Sequence, residues 1–305
     1  MTNACKRLNG EQKISSIYIK SPLNYVGGKY KLLKEIIPLF PSDITVFVDL
    51  FGGGFNVGVN VGCKNIIYND TCSQVVDLLQ HFYKNEADVI HNNIIKTITD
   101  YGLSRSDLNG YEVYGCNSNN GLGEYNKPKY LKLREDYNNN PDWIKFYTLI
   151  TCSFSNQIRF NSSKGQFNMP YGKRDYNSSL QEKLKVFVNA MHDKHIEFWN
   201  KDFRECNFFS DDFLYCDPPY YNSVATYNEN GGWSEQDEKD LLHMLDVVDS
   251  HNGRFALSNN LKYENPLLDE WISEYNVHYL NGDYSNCNYQ KKDKSKDIEV
   301  LITNY

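Results

Sequence analysis

The chain has 305 residues and a formal charge of −7, from 32 Lys and Arg against 39 Asp and Glu, with 40% hydrophobic residues. That is one large domain or two modest ones with material for a sizeable core, which excludes disordered and collagen-like classes. No apolar run nears the roughly 18–20 residues that span a bilayer. The eight cysteines (5, 63, 72, 116, 152, 206, 216, 287) show no CxxC or Cys/His cluster, which excludes a secreted disulfide scaffold and argues against ligated metal.

The opening stretch MTNACKRLNGEQK is polar and lacks an apolar h-region, so no secretory signal and a cytoplasmic setting with free thiols are expected. Gly27-Gly28-Lys29 lacks the following Ser/Thr and the preceding glycine of a P-loop, which excludes ATP binding through it. TVFVDLF (45–51) predicts a buried strand, GGGFNVGVNVG a glycine turn leading into a helix, and NIIYND (65–70) a second strand. This βαβ reading implies a doubly wound parallel sheet. The turn FGGGFNVG (51–58) sits where such sheets bind a nucleotide, and Asp70 is placed to accept ribose hydroxyls. Position 57 is Val where a GxGxxG from Gly52 needs glycine; the reading is an adenosine-containing ligand other than NAD.

Residues 73–194 read as mainly helical, through VVDLLQHFYK, DVIHNNIIKTI, WIKFYTLITC and LQEKLKVFVNAMH. Within them, 127–174 hold nine basic and three acidic side chains, a balance of +6 that leaves −13 for the rest. An acidic body with one basic region is the footprint of local polyanion binding. Further strands are predicted at FLYCD (213–217), RFALSN (254–259) and IEVLITN (298–304), with an amphipathic helix at 234–249 capped by Ser234.

Asp217-Pro218-Pro219-Tyr220 follows the strand FLYC. Two prolines fix an extended turn, and an aspartate beside the Pro218 carbonyl gives two acceptors side by side. These suit a planar exocyclic amine, whose nitrogen they would make more nucleophilic. Tyr220 supplies a face on which a base can stack.

LNYVGGK (23–29), FVDLFGGGFNVGVN (47–60), YND (68–70), KDF (201–203), YCDPPYY (215–221) and EVLITNY (299–305) stand in the order of the Dam-type (D12 class) DNA adenine-N6 methyltransferases, which the chain resembles from about 22 to 305. LKLREDYN (131–138), SFSNQIRFN…KGQFNMPYGKR (153–174) and WSEQDEKDLL (233–242) look most like the T-even bacteriophage branch. The resemblance implies an α/β Rossmann-like S-adenosylmethionine-dependent methyltransferase sheet (1–72 and 195–305). A mainly helical DNA-recognition insertion (73–194) would interrupt it. It further implies that Tyr25, Lys29, Asp49, Phe51, Gly52, Gly54, Asp70, Asp202, Phe203 and Asp217 border S-adenosylmethionine, without metal. Asp217, Pro218, Pro219 and Tyr220 would hold a flipped adenine in double-stranded DNA. Arg159 and Arg174 would read guanine, Lys164 and Lys173 would contact phosphates, and Gln157 or Pro170 would fill the gap left by the base. The implied context is GATC, with CATG or another palindrome as the alternative, and with no membrane and no obligatory protein partner. Two departures stand out: Tyr25 where Trp is common, and an extra residue in NSSKG (161–165). Methylation of cytosine N4 or a glutamine amide is disfavoured because those families tend to show SPPY and NPPY. A decayed, non-catalytic DNA-binding protein is disfavoured because Asp217, Asp70 and the glycine turn are intact.

Overall fold

The computed structural model describes residues 18–161, 163–208, 211–223, 232–280 and 298–305. The polar opening stretch, Cys5, Cys287 and Ser162 of the NSSKG segment lie outside the described residues. In chain order the elements are α1 (Leu33–Ile36), β1 (Val46–Asp49), β2 (Asn65–Asn69), α2 (Ser73–Lys84), α3 (Ala87–Asp100), α4 (Ser106–Asn109), α5 (Gly123–Asn139), α6 (Trp143–Cys152) and α7 (Ser178–His192). They continue as β3 (His195–Trp199), β4 (Asp212–Cys216), α8 (Glu235–Ser250), β5 (Arg254–Asn260), α9 (Pro266–Trp271), β6 (Asn276–Leu280) and β7 (Glu299–Thr303).

The strands form one sheet in the order β3-β2-β1-β4-β5-β7-β6. The first five are parallel, whereas β7 runs antiparallel to both β5 and β6. Successive side chains of a strand point to opposite faces, and both faces are covered. Phe47, Tyr215, Ala256 and Leu301 enter one core with helices α2, α3, α5, α6 and α7. Their neighbours Val48, Leu214, Cys216, Leu257 and Ile302 enter a second core with Leu241, Leu242 and Leu245 of α8. This is the expected α/β doubly wound sheet. Ser234 caps α8 reciprocally with Asp237, as expected. No helix among the described residues is long and apolar enough to cross a membrane.

Two expectations need correction. The glycine turn does not lead into a helix: only one 3₁₀ turn, Gly58–Asn60, lies between β1 and β2. Side chains around this turn bond to backbone groups near it and in the N-terminal segment. Asp49 accepts from Gly58 N, Asn56 from Ser21 N, and Asn60 both accepts from and donates to Ile19. Second, the sheet holds two strands beyond those expected, β3 and β6, and neither carries a long apolar run. They are the two sheet edges, and both leave residues exposed.

Candidate active site and nucleic-acid interface

The order reversal between β1 and β4 puts the carboxyl ends of both strands at a topological switch point. Asp49 closes β1 and pairs in register with Tyr215, two residues before Asp217. Pro218 is buried, and Pro219 and Tyr220 are half-buried. Lys29, 3% exposed, reaches the same corner from the N-terminal segment. Its Nζ lies 2.6 Å from Asp217 Oδ1, donates to the Gly27 carbonyl at 3.0 Å, and stands 5.1 Å from the Tyr220 ring centre. The Tyr220 hydroxyl donates to Glu299 Oε2 at 3.1 Å, and Asn260 Nδ2 donates to Glu299 Oε1 at 2.8 Å.

Burial raises Asp217 above the ordinary carboxylate range, against the Lys29 charge and hydrogen bonds from Lys29 and Tyr220. Burial also raises Glu299, opposed by Lys29 and reinforced by the Asp217 charge. Asp49 is pushed up to about 7, chiefly by burial, with the Gly58 N–H opposing and the charges of Asp217 and Asp70 adding. The Asp217 charge thus bears on both Asp49 and Glu299, and Lys29 is the cation paired with Asp217.

The glycine turn packs tightly against its surroundings. A Cβ on Gly52 would fall 2.3 Å from the Tyr68 ring, and Gly53 sits at φ +47° against the Tyr25 ring. Gly54 backs onto Tyr25 Cβ and the Leu23 carbonyl. Asp70 ties the turn to the start of α2: Oδ2 accepts from Gly53 N at 2.9 Å and Oδ1 from Cys72 N at 2.8 Å. Burial raises this carboxylate too, with those two N–H groups opposing. Each oxygen keeps a further lone pair. Phe51, Phe203 and Trp233 form a ring cluster with centroids 5.6–5.7 Å apart. Asp202 accepts from Arg204 N and pairs with the Arg204 guanidinium, which also holds Asp237 and Asp240.

The basic loop follows α6. Ser155 and Asn156 both adopt left-handed backbone, at φ 54° each. This conformation costs a non-glycine residue energy unless its surroundings hold it. Asn156 Nδ2 donates to the Ile150 and Thr151 carbonyls, and Asn24 Nδ2 donates to the Ser155 carbonyl at 2.6 Å. Phe154, 54% exposed, stands beside Pro170, whose carbonyl accepts from Phe154 N. Gln157 is half-buried, while Lys164, Pro170, Lys173 and Arg174 are exposed. Arg174 donates to the Tyr111 hydroxyl at 2.8 Å. Arg159 points back onto its own hairpin, donating to Asn168 Oδ1 at 2.7 Å.

The structure therefore gathers Tyr25, Lys29, Asp49, Gly52, Gly54, Asp70 and Asp217–Tyr220 at the carboxyl ends of the central strands, with Phe51 beside Phe203. It engages Arg159 and Asp202 with neighbouring side chains. Sequence reasoning missed Glu299, Asn260, Trp233, Tyr111 and Phe154. The last had a legible signal, an aromatic set among turn formers in SFSN. Among the described residues no three His, Cys, Asp or Glu side chains gather as a metal site.

Comparison with known proteins adds an independent observation. Residues 25–286 match the model for the D12 class N6 adenine-specific DNA methyltransferases. The Type II methyltransferase M.FokI of Planomicrobium okeanokoites is 40% identical over 97% of this chain and 44% of its own length. The modification methylase StsI of Streptococcus sanguinis is 36% identical over 94% and 43%. The DNA adenine methylase of Salmonella typhi is 24% identical over 85% and 86%. The chain spans less than half the length of the first two relatives. The higher identities fall on type II and modification methylases rather than specifically on the T-even phage branch. With the matched region covering most of its residues, the chain belongs to the D12 class of N6 adenine-specific DNA methyltransferases.

Proposed function

We propose that this chain transfers a methyl group from S-adenosylmethionine to the N6 amine of an adenine turned out of duplex DNA. The observation that carries this reading is the position of Asp217 and Tyr220 near the glycine turn and Asp70, at the carboxyl ends of the central strands. The residues fit the cofactor. Half-buried Gly52 presents backbone without a side chain, Asp70 retains acceptor capacity for a diol, and Phe51, Phe203 and Trp233 give an aromatic wall. Carboxylates at 49, 70 and 217 suit a cationic ligand. When bound, S-adenosylmethionine supplies an electrophilic methyl on a sulfonium.

The chain's own groups do the rest. Tyr220 stacks on the base, which leaves the duplex at a cost of a few kcal/mol. Asp217 and the Pro218 carbonyl accept the two amine hydrogens, an interaction that strengthens as positive charge develops on nitrogen. The spare proton then leaves, with no covalent enzyme intermediate. We assign 1–72 with 195–305 to this chemistry and 73–194 to target recognition. Exposed Arg174 is the leading base reader, Lys164 and Lys173 contact phosphates, and Phe154 beside Pro170 is the apolar group available to enter the vacated stack. GATC rests on the Dam-type resemblance of the motifs and is the first duplex to test. Kinship with the T-even branch rests on segments 131–138, 153–174 and 233–242.

The test is labelled methyl transfer by the purified protein, followed by sequencing of the modified DNA. N6-methyladenine in one defined context is the expected result. Methylation of cytosine or of protein, or no transfer to any DNA, would overturn the proposal.

A further inference from the structure

We infer that Glu299 is a positioning residue: through the Tyr220 hydroxyl it fixes the ring on which the target base stacks. The two prolines before Tyr220 restrain its backbone but leave its side-chain torsions free. A stacking platform needs a defined ring plane, so a second tether is required. Glu299 supplies it. Its Oε2 accepts from the Tyr220 hydroxyl at 3.1 Å, and the same hydroxyl also hydrogen-bonds with Asp217. Glu299 is itself held. It is the first residue of β7, cross-strand from Asn260, whose Nδ2 donates to Oε1 at 2.8 Å. Asn260 Oδ1 in turn accepts from Lys262 N at 3.0 Å and Ile298 N at 3.3 Å, which fixes the amide.

Glu299 is only 5% exposed, in a strand whose other four residues, Val300, Leu301, Ile302 and Thr303, are fully buried. A buried carboxylate costs stability that an apolar residue would not, so its presence calls for a task. The bond it makes runs to the active-site ring. The inference rests on reading Tyr220 as the stacking ring, and it adds the group that orients that ring.

The test is single-turnover methyl transfer to duplex DNA. Flipping is followed in parallel by fluorescence of 2-aminopurine at the target position, and cofactor affinity by calorimetry. Glu299→Ala is expected to slow transfer roughly ten- to hundredfold, the scale of a small misplacement of a reacting group, and to alter the 2-aminopurine signal while cofactor affinity holds. Glu299→Gln, which keeps an acceptor for the hydroxyl, should restore most of the rate. Tyr220→Phe should lose a similar factor, and adding Glu299→Ala to it should cost little more. Additive losses, or a wild-type rate in Glu299→Ala, would overturn the inference. If Glu299→Ala does not fold, Tyr220→Phe decides alone: transfer at the wild-type rate overturns it. Absence of transfer by the wild-type chain would overturn the reading of Tyr220 and this inference together, whereas additive losses beside normal wild-type transfer would overturn this inference only.

Discussion

The Lys29 ammonium occupies the space between the Asp217 carboxylate, 2.6 Å away, and the face of the Tyr220 ring. A protein-borne amine thus holds the acceptor and the ring that the proposed reaction offers to a substrate amine. Its charge also opposes the upward push of burial on Asp217. Lys29→Met should therefore raise the Asp217 pKa further. If ionised Asp217 is the active form, the acid limb of the single-turnover pH–rate profile should move to higher pH. An unmoved acid limb would show that Asp217 does not control it.

Asp217→Ala should act on the chemical step. Removing one preorganised partner of a developing charge typically costs about 10²–10³ in rate. DNA affinity should persist, because the proposed phosphate contacts lie in the basic loop and not at Asp217. Rapid-quench methyl transfer beside a DNA-binding titration checks both, and near-normal transfer would make Asp217 a structural residue.

Asp70→Ala removes the carboxylate that joins Gly53 N to Cys72 N. Loss of a charged acceptor for ribose hydroxyls should weaken S-adenosylmethionine by roughly 1.5–3 kcal/mol. Calorimetry measures this directly; unchanged affinity would remove Asp70 from the cofactor site.

The two loop arginines should separate. Arg174→Ala should relax discrimination at one base pair by roughly 1–3 kcal/mol and leave thermal stability alone, since the side chain is exposed. Arg159→Ala should also loosen the hairpin that its bond to Asn168 closes, seen as a lower unfolding temperature. Lys164→Ala and Lys173→Ala should weaken all duplexes alike and flatten the salt dependence. Competition binding with cognate and single-mismatch duplexes distinguishes these patterns.

Asp49 is 2% exposed, and its pKa is raised from 3.8 to about 7. A group that binds its proton more tightly when folded adds stability that is complete below the unfolded value and lost as pH rises through the folded one. Three units correspond to roughly 4 kcal/mol across that window. Asp49→Asn keeps an acceptor for Gly58 N, so its unfolding temperature should gain on the wild type steadily from about pH 4 to about pH 7. A pH-independent difference would contradict this.

Central elements were legible in the sequence because they are buried on both faces: Phe47-Val48 and Phe213–Cys216 read as continuous apolar runs. HIEFW and NVHYL did not, since edge strands expose part of each face. The helix expected after Gly54 does not form because Phe55 takes left-handed backbone at φ 59° and Asp49 accepts the Gly58 N–H that a helical carbonyl would need. Asp217–Tyr220 and Asp70 could be picked out by their place at strand ends. Glu299 could not, because its significance depends on β7 entering the sheet beside β5, a pairing between distant segments.

That insertion sets an order of events on the ribosome. Among the described residues β6 has β7 as its single neighbour in the sheet, and β7 is the last of the seven described strands to be synthesised. Until residues 299–303 emerge, β5 presents an open edge and β6 has nothing to pair with. The corner that holds Tyr220 is likewise unfinished, because Lys29 and Glu299 come from opposite ends of the sequence. A nascent chain can have its glycine turn and its DPPY segment in place and still lack the corner that joins Lys29, Tyr220 and Glu299, which closes only when β7 joins the sheet.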